Sequence, residues 1–450
     1  MRTHKILFAS IALDGHFNPL TGLATHLQET GYDVRWYTGG TFSGKLAALG
    51  IPHYPFRKAL EVTQENMDEV FPQRKTLKSQ IAKMKFDLKN YFVLRTPEFF
   101  ADIEDIFREF PFDLIVTDCC FPASIVVKEK LGVPLVNVGI IPLMETSRDL
   151  APAGLALLPA GGFWGRRKQD VLRWVAENFL FREAGQVYNG ILRELGVAPV
   201  EGIFFNALIR RADVFLQSGT PGFEYARTDV SPNVRFVGPL LPYRPAGSGK
   251  PLAFAQKLKT YRQVVLVTQG TVERDPEKIL VPTLEAFKDT DTLVVATTGG
   301  SGTQALRERF PQANLVIEDF VDFNAIMPHA HAYVTNAGFG GVLMSIGHRL
   351  PMVAAGVHEG KNEIAARIGY FHLGVNLNTE TPTPAQIREG VAEVLRNPTY
   401  RQHVAVLADE FCRYQPQQFC AQYVAQLLAA RHPAPAKGAT EGVKPAVMAL

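Results

Sequence analysis

The stretch HAYVTNAGFGGVLMSIGHRLPMVAAG, residues 331–356, holds the pattern on which the fold turns. Ala332 to Val334 is an apolar, strand-like run that stops at Thr335-Asn336-Ala337-Gly338. Gly338, Gly340 and Gly341 crowd the next few positions, then come a helix-like stretch and a second apolar run, Leu350 to Gly356. Strand, glycine turn, helix and strand make the unit from which parallel sheets are built.

The same alternation runs in both directions from there. Upstream, strand-like runs at 263–270, 292–300 and 314–320 are separated by helix-length stretches. The first half repeats the scheme with runs at 5–11, 33–39, 112–118, 134–140 and 213–219. The run KILFASI at 5–11 is continuously apolar, as a strand buried on both faces requires. A helix is expected to open behind it, with Asn18 as cap, Pro19 in the first turn and Leu20, Leu23, Ala24 and Leu27 on one face. Between the halves, GPLLPYRPAGSGKP at 238–251 is rich in Pro and Gly and reads as a linker. The expected organisation is a first domain over 1–237, a linker over 238–251, and a second domain over 252–410. A closing helix over 411–430 and an unstructured tail over 431–450 follow.

With 450 residues the chain exceeds the roughly 250–300 at which one core stops growing, so two domains suit its length. Its composition, 46% hydrophobic and 20% charged, is that of an ordinary soluble chain, and a net charge of +3 is too mild to argue for nucleic acid. The basic run Arg166-Arg167-Lys168 is compatible with a phosphate or membrane contact, although a solvated loop is the simpler reading. No exposed apolar stripe stands out, which leaves the oligomeric state open. Cys119, Cys120, Cys412 and Cys420 show no CxxC spacing and read as reduced thiols of a cytoplasmic protein. The short apolar run at the start is too brief to span a membrane.

Open α/β sheets bind ligands at the carboxyl ends of their strands, and that rule sorts the candidate residues. The turn from Asn336 to Gly341 opens a helix, where free N–H groups and the helix dipole meet an anion at bare backbone. The alternative is a tight turn whose glycines serve only packing. Neighbouring turns favour the anion. Thr268, Gly270 and Thr271 end one strand, and His358, Glu359, Gly360 and Lys361 follow another. Together they suit a ligand bearing phosphates and hydroxyls, such as a nucleotide sugar. The DTD at 289–291 resembles a metal-binding motif but precedes its strand, as do His329 and His331, so no metal site is expected. Gly300 and Gly302 with Glu318 form a weak dinucleotide fingerprint, the basis of a rival reading as an NAD(P)-dependent oxidoreductase. In the first half, His16 follows the first strand in what reads as an open turn, and Asp118 ends another strand at the same edge. A carboxylate beside an imidazole fixes its tautomer and raises its basicity, which suits removal of a hydroxyl proton.

The motifs DGHFNPLTGLATHL, FDLIVTD, RFVGPLLP, VTQGT and VTNAGFGGVLMSIGHRLPMVAAG together resemble the family 1 glycosyltransferases of the GT-B fold, in particular the bacterial flavonoid and macrolide branch. The resemblance implies two Rossmann-like, doubly wound parallel-sheet domains facing a cleft, and inverting, metal-independent transfer with no cofactor beyond the nucleotide-sugar co-substrate. It assigns His16 as catalytic base and Asp118 as its partner. Donor contacts are expected from Thr268, Gly270, Thr271, Phe320, Val321, Asn336, Gly338, Phe339, Gly340, Gly341, His358, Glu359, Gly360 and Lys361, and acceptor contacts from Asp14, Phe17 and Pro142. It also implies a closing helix that crosses back to the first domain.

Several positions depart from the family pattern. Asn336 replaces its diphosphate-contacting histidine and is expected to donate through its amide. Met344 replaces the glutamate that grips ribose, which suits a deoxyribose nucleotide. Phe320 stands for the base-stacking tryptophan, and Gly360-Lys361 for the sugar-reading Asp-Gln pair. The expected donor is dTDP-linked, with rhamnose as its sugar. The apolar, glycine-rich and weakly periodic span 142–200, with LAPAGLALLPAGGFW at 150–164, suggests part of an apolar acceptor pocket for a flavonoid, another phenolic or a polyketide, the alternative being a mobile lid or a surface loop. A non-catalytic nucleotide-sugar binder of the same fold is the other alternative.

Overall fold

The computed structural model describes residues 3–431 apart from 64, 246, 248, 250, 271, 272 and 359. Two expected donor contacts, Thr271 and Glu359, therefore lie outside the described residues, as does 432–450 of the expected tail. The first sheet contains β1 (Lys5–Ala9), β2 (Asp33–Thr38), β3 (His53–Pro55), β4 (Leu114–Asp118), β5 (Leu135–Gly139), β6 (Val214–Ser218) and β7 (Val234–Gly238). The second contains β8 (Gln263–Thr268), β9 (Thr292–Thr297), β10 (Leu315–Glu318), β11 (Ala332–Thr335), β12 (Met352–Ala354) and β13 (Gly374–Asn376). Neighbouring strands in both sheets pair in parallel.

The strand orders are β3-β2-β1-β4-β5-β6-β7 and β10-β9-β8-β11-β12-β13. In each sheet the chain winds outward for three strands, then returns to the far side of the first. The winding thus reverses between β1 and β4, and again between β8 and β11. Loops leaving such a reversal diverge and open a crevice at the carboxyl ends. Helices cover both faces, so β4, β5 and β9 are buried along their whole length.

The first helix, Asp14–Glu29, begins one turn earlier than its cap signals suggest and holds Pro19 inside it. Leu13, not Asn18, is the cap, and its carbonyl accepts from His16 and Phe17 N–H. His16 therefore sits in a rigid first turn and not in an open one. Leu20, Leu23, Ala24 and Leu27 are fully buried.

The last helix, Pro416–Arg431, packs on the first helix and on β7. Its Cys420, Val424 and Leu428 belong to the core of the first sheet. Gly238, where the chain leaves that sheet, has φ +89, and a Cβ there would lie 2.5 Å from Cβ of Tyr414. The outgoing and returning segments therefore touch.

The carboxyl edges of the two sheets face each other. Arg274, after β8, pairs with Glu65, after β3, at 2.5 Å. Glu363, in the helix after β12, accepts from the N–H groups of Gly154 and Ala156 at 2.8 and 2.7 Å; that loop follows β5. Arg367 bridges Glu363 and Glu224, the latter after β6, while stacking 4.2 Å over Tyr225. Burial pulls the Arg367 guanidinium pKa down, but the two carboxylates outweigh that and hold it above its ordinary value.

Candidate active site

The reversal point of the first sheet brings His16 and Asp118 together. Nδ1 of His16 lies 2.8 Å from Oδ1 of Asp118. A carboxylate can only accept, so Nδ1 carries the proton and the lone pair of Nε2 is left outward. The Asp118 carboxylate is itself fixed. Cys120 N–H donates to Oδ1 at 2.8 Å and Ile11 N–H donates to Oδ2 at 3.1 Å. Asp118 is fully buried, whereas the His16 side chain keeps 15% exposure toward the cleft.

His16, Asp118 and Cys120 also place three donor atoms within 4.8 Å of one another. Their chemistry favours proton transfer over metal binding. The neighbouring Cys119 thiol, burial and the Asp118 charge push the Cys120 thiol up, so it stays protonated, and the carboxylate is already occupied by three N–H groups. The buried Tyr91 hydroxyl has no partner. Burial first, then the charge of Asp118, pushes its pKa up and keeps it a neutral phenol beside the dyad.

Of the expected acceptor contacts, Pro142 lines a cavity with Cys119, Cys120, Ile141, Met144 and Gln217. The Gln217 Oε1 is buried there without a partner. Asp14 sits at the helix start, ion-paired with Lys45. Phe17 is a correction. Its side chain is fully buried, stacked on Phe42 at 4.3 Å and against Trp36 at 4.6 Å, and has no surface to offer an acceptor. Tyr91 and Gln217 carried no local sequence signal, because only the tertiary fold brings them beside the dyad.

The second sheet's reversal point holds the glycine turn. The helix Phe339–Gly347 opens at Gly338 with no side-chain cap. Among the described residues the N–H groups of Phe339, Gly340 and Gly341 meet no acceptor. Gly338 N–H is taken by Oδ1 of Asn336. Asn336 is a second correction. It is 4% exposed, and its amide donates to the Gln269 carbonyl across the β8–β11 reversal, so its side chain is engaged within the protein. Bare backbone makes room for it: a Cβ at Gly270 would come 3.2 Å from its amide nitrogen, and one at Gly356 would come 2.3 Å from its carbonyl oxygen. Thr268 is nearly buried and caps the Gly270 N–H at 3.2 Å.

Phe320 follows β10 with 73% of its surface exposed, its ring beside Gly300. Such a flat, solvent-facing ring offers a stacking surface. Val321 and His358 are half-buried on the same edge, and Gly360, at φ +77, precedes the helix Lys361–Tyr370. The fingerprint residues of the rival reading are engaged elsewhere: Glu318 pairs with Arg307, and Asp319 accepts from Thr303.

Two sheets of this winding, joined carboxyl edge to carboxyl edge, are the architecture of GT-B glycosyltransferases. Comparison with known proteins agrees. The family model described as UDP-glucoronosyl and UDP-glucosyl transferase matches residues 101–418. The 4'-demethylrebeccamycin synthase of Lentzea aerocolonigenes is 35% identical over 408 residues, covering 90% of this chain and 95% of that one. UDP-glucosyltransferase 1 of Beauveria bassiana is 31% identical, covering 89% and 90%. Among solved structures, CalG4, the calicheamicin glycosyltransferase, superposes with a TM-score of 0.74 at 21% identity over 96% of this chain and 100% of that one. The chain belongs to the UDP-glucoronosyl and UDP-glucosyl transferase family. It is a glycosyltransferase that takes its sugar from a nucleotide donor and needs no further cofactor.

Proposed function

We propose that this glycosyltransferase works by inversion, with His16 as the base, on a small apolar acceptor such as a flavonoid, another phenolic or a polyketide. The carrying observations are the His16–Asp118 pair at one sheet's reversal point and the uncapped helix start at the other's. Nε2 takes the proton from an acceptor hydroxyl, and the Asp118 carboxylate stabilises the imidazolium that forms. The hydroxyl oxygen attacks the anomeric carbon from the face opposite the nucleotide. The bond to the diphosphate breaks, and its negative charge is met by the N–H groups of Phe339, Gly340 and Gly341 at the positive end of the helix dipole. Phe320 stacks on the base. With Asn336 turned inward, backbone carries the anion. The cavity at Pro142 and Cys120 receives the acceptor.

The donor is read as dTDP-linked, with rhamnose as its sugar. The support is Met344, half-buried in the helix Phe339–Gly347 where the family has a ribose-gripping carboxylate. The name of the Beauveria relative favours UDP-glucose as the second reading. Comparing kcat/KM for dTDP- and UDP-linked forms of one sugar decides between them. A preference for the UDP form would overturn the dTDP reading, and product lacking inverted configuration would overturn the mechanism. Free cysteines, with Cys119, Cys120 and Cys420 buried, suit a cytoplasmic setting, and no described helix is long and apolar enough to cross a membrane.

A further inference from the structure

The basic run Arg166-Arg167-Lys168 lies on a helix, Gly162–Val175, and not on a loop. That helix is inside out. Its inward face buries Gln169 at 3% exposure with both amide atoms unpartnered. Its outward face carries Trp164 at 82% exposure, Val171 at 61% and Trp174 at 58%. Leu155, Leu157 and Leu158 just before it, Phe163 and Val175 within it, and Phe179 just after are exposed too. Nine of the fifteen exposed large apolar side chains among the described residues thus fall within 155–179. An apolar stripe does exist, contrary to the sequence reading. It was invisible there because the helix presents to solvent the face that periodicity assigns to a core.

Charge identifies what covers it. At 100° per residue, Arg167 and Lys168 fall within the same arc as Trp164, Val171 and Trp174. Arg167 and Lys168 make no ion pair with a carboxylate among the described residues, whereas Arg166 lies to the side of that arc and, after hydrogen bonds from Thr228, its charge helps to lower the pKa of Asp149. Arg167 instead lies 5.4 Å from the centroid of the Phe163 ring. Exposed Trp and Phe interleaved with unpaired cations on a short helix suit the boundary between acyl chains and anionic headgroups. A second protein surface would have to place carboxylates opposite each of those cations, whereas anionic headgroups offer negative charge everywhere along the boundary.

We propose that the helix Gly162–Val175 is an interfacial anchor that seats the protein on anionic lipid bilayers. The chain carries its own probe. Two of its three tryptophans, Trp164 and Trp174, lie on this face, and the third, Trp36, is fully buried. The full chain is mixed with phosphatidylcholine vesicles with and without phosphatidylglycerol, and read by vesicle flotation and tryptophan emission. Anionic vesicles are expected to float the protein and shift its emission to the blue, with reversal by high salt. The triple variant Arg166→Gln, Arg167→Gln, Lys168→Gln should lower the partition coefficient roughly 10²-fold, and Trp164→Ser with Trp174→Ser should abolish flotation. Circular dichroism of each variant confirms that it is folded, since all five side chains are exposed or peripheral. Absence of flotation with anionic vesicles overturns the proposal. So does a blue shift that appears without lipid, whether on concentrating the protein into a sedimenting dimer or on adding a soluble phenolic acceptor. Every readout is binding without turnover, so failure here is distinct from failure of the transfer mechanism.

Discussion

His16 is useful only while its ring is held by one nitrogen and free at the other. The 2.8 Å contact to a carboxylate pinned by two backbone N–H groups meets that condition. His16→Ala is expected to lower transfer to a phenolic acceptor by roughly 10²–10⁴-fold with donor binding retained, as isothermal titration would show. Asp118→Asn lets an amide donate to Nδ1, inverts the tautomer and should reduce kcat within the same range. Full activity in either variant removes the assigned role. The pair was legible because each residue ends a strand at the ligand edge, whatever their distance in sequence. Phe17 was misread because one step along a helix turns a side chain by about 100°, which carries it from the cleft into the core. Asn336 was read differently because an amide can donate in either direction, and only the fold shows that it donates to the Gln269 carbonyl.

At the scale of elements, the buried strands announce themselves and the margins do not. β3, β7 and β13 were missed, and all three are edge strands. β3 has no buried residue and β13 only one, so neither carries the unbroken apolar run by which central strands are recognised. The first helix was started too late because a proline is a strong start signal, yet Pro19 is tolerated within it. The glycine turn yields a test that separates its two readings. A Cβ at Gly340 would meet nothing within 4 Å, so Gly340→Ala should fold at least as well as the parent and gain up to about 1 kcal/mol from helix propensity. If the turn holds a diphosphate, the same methyl stands where the anion must approach, and the donor Kd should rise. Unchanged donor affinity would reduce the turn to packing. By contrast, Gly356→Ala drives a methyl into the Asn336 carbonyl and should cost about 1–3 kcal/mol, read as a lowered melting temperature.

For the whole molecule, the division into two sheets followed from length, alternation and one proline-rich break. How the halves grip each other did not, because Glu224 lies 143 residues from Arg367 and nothing local to either one names the other as its partner. Arg367→Met leaves Glu363 without a cation and Glu224 with Arg227 alone, at 3.4 Å, a loss of up to roughly 3–5 kcal/mol for such networks. The expected result is a lower melting temperature and faster amide exchange over 143–156, the loop tied to Glu363. Unaltered exchange there would show that the halves are held by something else. The chain crosses between the halves twice, and the crossings meet where Gly238 abuts Tyr414. Two strands of polypeptide passing side by side leave one axis free, as in a door hung on its jamb. Any swing of one half against the other must pivot there, so the gap widens most at the side remote from that corner, and a single distance label placed across it would report the entire motion.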